Sequence, residues 1–164
     1  MKRNTMWLSL TMMVLILAGG VGTAHGQGKP VQLSLVNPIQ LVNESESISG
    51  VRLNLIYTKN VSVSGFDFGL VNSCSGGTSE GIQWAFVGIN DGGFKGWQSA
   101  FVSITKENFQ GLQMGFYNTA GHMSGLQLGF INHASTMNGL QIGLVNLIDT
   151  GGAFPVFPIV NWSF

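Results

Sequence analysis

The chain has 164 residues, 45% of them hydrophobic and only 9% charged, with seven Lys and Arg against seven Asp and Glu. That balance excludes a basic nucleic-acid-binding surface. Cys74 is the only cysteine, which excludes an intrachain disulfide, so packing or a membrane must hold the fold together.

Lys2 and Arg3 precede an apolar stretch from Met6 to Ala18 and small residues ending at Ala24-His25-Gly26. This is the pattern of a secretory signal cleaved after residue 26. The apolar stretch is short of the ~20 residues a spanning helix needs. Residues 27–164 then form a single β-repeat domain with five basic and seven acidic residues, so it is slightly acidic.

Gly50, Gly65, Gly81, Gly96, Gly111, Gly125 and Gly139 recur every 14 to 16 residues, and each precedes a short run read most cleanly as LQLGFIN. Nine copies are countable, from VQLSLVN at 31–37 to PVFPIVN at 155–161, and those two terminal copies are degenerate. A period of this length marks a repeat architecture. Within a copy, Leu126, Leu128 and Phe130 alternate with Gln127 and Gly129, the signature of a strand with one buried face. Hydrophobicity assigns the Leu/Phe positions to the core, and Trp84 and Trp97 with them. It places Gln83, Gln98, Gln113, Gln127 and Gln141 in an outward amide ladder.

A second apolar column, Ile48, Val63, Phe94, Phe109, Met123 and Met137, lies three residues before each copy and predicts the opposite wall of a narrow core. The Asn that follows most apolar doublets predicts a left-handed corner. The glycine predicts the bend back onto the strand. Each repeat is thus one coil of a parallel, all-β solenoid. The competing architecture is a small antiparallel outer-membrane β-barrel, favoured by the terminal Phe164 and disfavoured by alternation shorter than a spanning strand needs. Pro155 and Pro158 predict a terminal cap, and the charged insert Asn43-Glu44-Ser45-Glu46 predicts another near the first copy.

The GLQxGxxN copies, the opening VQLSLVNPIQL and the closing PVFPIVNWSF together resemble a family of bacterial exported proteins described as surface repeat-containing. The resemblance implies bacterial origin and an exported or cell-surface location; with the signal sequence, the expected place is the cell surface or the outer membrane/periplasm. It implies no particular activity and carries over no functional residue.

Catalysis is not expected, because Asp91 and Glu107 fall at different repeat positions and no acidic column exists. No metal or cofactor is expected either. His122 and His133 occupy different repeat positions without a third ligand, and Cys74 has no partner base in the pattern. The expected function is a non-enzymatic envelope or surface scaffold that adheres or assembles through the flat Gln/Gly face. Its partners would be envelope components or further copies, and the barrel alternative would be a membrane anchor or pore.

Overall fold

The computed structural model describes residues 28–164, so the signal sequence lies outside the described residues. The strands are β1 (Lys29–Val36), β2 (Ile39–Gln40), β3 (Ile48–Asn60), β4 (Val63–Cys74), β5 (Thr78–Asn90), β6 (Gly93–Thr150) and β7 (Val156–Ser163). They form one sheet in the order β2-β1-β3-β4-β5-β6-β7, in which β6 winds without interruption through the four copies at 97–103, 112–118, 126–132 and 140–146.

From β1 to β6 the pairing is parallel, and equivalent residues stack: Gly50 on Gly65, Gly65 on Gly81, Gly81 on Gly96. The protein is therefore the parallel β-solenoid that the repeat predicts, and the antiparallel barrel is excluded. Both ends reverse direction. β2 pairs antiparallel with β1, and β7 pairs antiparallel with the last copy in β6, so the degenerate final copy is a cap and not a further coil. The segment after β2 closes the first end by placing Val42 against Ile48, Val63 and Cys74.

The bend glycines behave as their spacing predicts. Gly111 and Gly125 have φ of 129° and 130°, a region that L side chains rarely adopt. A Cβ on either would sit 2.1 or 2.2 Å from the carbonyl oxygen of the glycine one coil earlier. Only glycine lets adjacent coils approach to strand spacing here.

The interior lies between two walls. One is the predicted second column: Ile48, Val63, Phe94, Phe109, Met123 and Met137 are all buried, and Phe94 stacks on Phe109 at 5.5 Å. Ala120, Ala134 and Ile148 fill the same core beside it.

The other wall reverses the sequence expectation. Gln83, Gln98, Gln113, Gln127 and Gln141 are each 0% exposed, whereas Trp84 is 63% exposed. Strand side chains alternate strictly, so choosing the wrong parity moves every residue to the other side. A coil of 14 to 16 residues encloses too narrow a space for Phe and Trp from one wall to meet Phe and Met from the other. Gln, Gly and Ala fit instead.

The corner asparagines also differ from expectation. Among the described residues only Ile159 combines a side chain with positive φ. Asn118, Asn132 and Asn146 keep ordinary backbone and turn their amides inward, where all three are buried.

Candidate interaction face

The interior glutamines bond to one another along the solenoid axis, while among the buried asparagines Asn54 Oδ1, Asn72 Nδ2, Asn90 Oδ1 and Asn118 Oδ1 have no partner among the described residues. Gln98 Nε2 donates to Gln83 Oε1 at 2.7 Å, Gln113 to Gln98 at 2.9 Å, Gln127 to Gln113 at 2.7 Å and Gln141 to Gln127 at 2.8 Å. The ladder ends on a charge, since Gln83 Nε2 donates to Asp67 Oδ2 at 2.6 Å. The asparagines form a second column of opposite sense: Asn118 Nδ2 donates forward to Asn132 Oδ1 and Asn132 to Asn146, both at 2.9 Å. A buried amide without a partner costs about 1–3 kcal/mol. Stacking identical coils removes that cost along most of the ladder; Gln141 Oε1, at its far end, has no protein partner.

Two positions of the Gln column hold an ion pair. Arg52, 0% exposed, makes two 2.7 Å bonds to Asp67 and donates to the Ser73 carbonyl at 2.9 Å. Burial opposes the charged guanidinium, but Asp67 outweighs it and holds the proton on Arg52 more firmly than usual. Cys74 touches Arg52 Nη2 through Sγ at 3.4 Å; burial pushes its thiol up and keeps it from solvent. Sequence reasoning missed this pair, although Arg and Asp in adjacent copies of an otherwise Gln column are a signal for a buried one.

With the glutamines inside, the Leu/Phe positions form the outer surface of the same sheet. The outward side chains of rows 31–35, 51–55, 66–70, 82–86, 97–101, 112–116, 126–130 and 140–144 are exposed or half-buried, and every one except Ser99 is apolar. Phe86, Phe101, Phe116 and Phe130 stack in register with centroid spacings of 5.1, 5.0 and 4.8 Å. Phe68 meets the edge of Trp84 at 5.7 Å. Both caps continue the face, since Ile39 and Leu41 lie beyond β1, and Trp162 pairs beside Leu140. At strand spacing the ten rows span about 43 Å by 16 Å, roughly 700 Å². The largest apolar patch on a typical monomer is ~300–600 Å².

The remaining predicted residues are scattered. His122 Nδ1 lies 2.8 Å from Thr136 Oγ1, and His133 Nε2 lies 3.0 Å from Asp149. Asp91 pairs with Lys106 on the next coil. Among the described residues no three His, Cys, Asp or Glu side chains come together to hold a metal. His133 holds the Asp149 carboxyl below its ordinary value of 3.8. A carboxyl NMR titration should find its midpoint below 3.8 and moving up in His133→Ala. Any stability from the pair is complete above the ordinary aspartate pKa and is lost as pH falls through the lowered one.

In comparisons with known proteins, no family model, curated protein or solved structure matches this chain.

Proposed function

We propose that the chain is a non-enzymatic, exported bacterial envelope or surface scaffold that assembles by burying its apolar sheet face. The observation that carries this reading is a face of ten rows without a charged side chain, set on a backbone whose interior amides are bonded coil to coil. The signal-like N-terminus and the surface-repeat resemblance support export. The Gln ladder is fully buried, so it meets no partner, and the contact surface is the apolar side of the same sheet.

The test is to place charge on the face without disturbing the core. Phe101 and Phe116 are 47% and 43% exposed. Phe101→Glu/Phe116→Glu should keep its β-rich circular dichroism and move from the envelope fraction to the soluble exported fraction. A variant that is folded and still fractionates with the envelope would overturn the reading.

A further inference from the structure

We propose that the apolar face closes on the same face of a second copy, with Trp84 of each chain seated in a notch above Ser99 of the other. The proposal rests on the reading that this face is the working surface, and names its occupant.

Three observations point to a copy of this chain. The first is shape. Trp84 is the most exposed outward side chain in the central rows, and the adjacent row carries Ser99, the one small polar residue at an outward position in the eight strand rows. Beside them lies an apolar notch of about 340 Å³, bordered by Phe68, Ile82, Trp84, Trp97 and Ser99. Knob and hole therefore sit side by side on one surface.

The second is symmetry. A two-fold contact needs residue i of one copy to meet residue j of the other, and j to meet i. A two-fold axis lying in the face, parallel to the strands and between β5 and the first copy of β6, places each Trp84 over the partner's Ser99. That axis also bisects the sheet. β2, β1, β3, β4 and β5 give five rows on one side, and four copies of β6 with β7 give five on the other. All ten rows meet a row of the other copy, and the two end caps meet each other. In-register side-chain ladders, such as the Phe86-Phe101-Phe116-Phe130 stack, favour the flat sheet that a contact over all ten rows needs.

The third is size and charge. About 700 Å² from each copy approaches the ~800 Å² per partner of a stable interface and exceeds ~1,000 Å² in total. An anionic lipid surface is a poorer match, since the domain carries five basic against seven acidic residues and none of the basic ones faces outward here.

A swap tests the register. Trp84→Ser leaves two holes, and Ser99→Trp sets two knobs against each other. Each single variant of the full exported chain, purified without detergent, should weaken dimerisation at least tenfold in sedimentation equilibrium, roughly the loss expected for a central Trp anchor. Trp84→Ser/Ser99→Trp rebuilds knob against hole with positions exchanged and should recover most of the affinity. Both positions point outward, and circular dichroism should report intact folds throughout. A double variant as weak as the singles overturns this register. A wild-type monomer that floats with phosphatidylethanolamine–phosphatidylglycerol vesicles overturns the self-pairing and leaves the scaffold reading standing on lipid. A monomer that binds neither vesicles nor envelope overturns both.

Discussion

Asp67→Ala should destabilise the solenoid by about 3–5 kcal/mol, because it leaves Arg52 as an unpaired charge in the core. Arg52 is 0% exposed and donates two of its bonds to the Asp67 carboxylate, and Gln83 loses its 2.6 Å acceptor at the same time. Total stabilities are about 5–15 kcal/mol, so urea denaturation should show a large fall in midpoint or a chain that does not fold. Removing both charges should behave differently. Arg52→Gln/Asp67→Gln extends the ladder already present from Gln83 to Gln141, and buried ion pairs replaced by well-fitting neutral groups are often neutral or stabilising. The double variant should therefore match or exceed the wild-type midpoint. If Asp67→Ala alone were as stable as wild type, the pair would not be buried as described.

Gly111→Ala should cost roughly 3–5 kcal/mol, combining backbone strain with overpacking. The new Cβ would lie 2.1 Å from the Gly96 carbonyl oxygen, on a residue at φ 129°. Backbone cannot swing aside as a side chain does, so the coils on either side would part. Gly76→Ala is the control. Nothing lies within 4 Å of its Cβ position, and its φ is not in the left-handed region. Its midpoint should stay level or rise slightly through the lower entropy of the unfolded chain. Equal effects at Gly76 and Gly111 would contradict the close approach at the bend.

The architecture was legible in the spacing. Seven glycines at 14 to 16 residues gave the coil and its bend, and Ile48, Val63, Phe94, Phe109, Met123 and Met137 gave one core wall. Stacking of identical copies also gave the Gln ladder. What the pattern did not reveal was the side on which that ladder lies. Leu126-Gln127-Leu128 alternates equally well either way, and hydrophobicity chooses the parity that puts Leu inside. The deciding bonds run between coils, from Gln127 to Gln113, and no single copy displays them. The narrowness of the interior, which admits Gln and excludes Trp84, is likewise a property of the closed coil. The columns do carry a signal, because Phe, Trp, Leu, Ile and Val exchange freely at the outward positions while Gln recurs six times, at 32, 83, 98, 113, 127 and 141.

The two amide columns donate in opposite directions, glutamines toward the amino end and asparagines toward the carboxyl end. From Asn118 to Asn146 the two sets of side-chain dipoles point against each other, so the polarisation they add along the axis there partly cancels. A helix, by contrast, gathers partial charge at its termini. Rungs that carry both amides, as those of Gln113, Gln127 and Gln141 do, can thus be added or removed by gene duplication with little electrostatic penalty that grows with length.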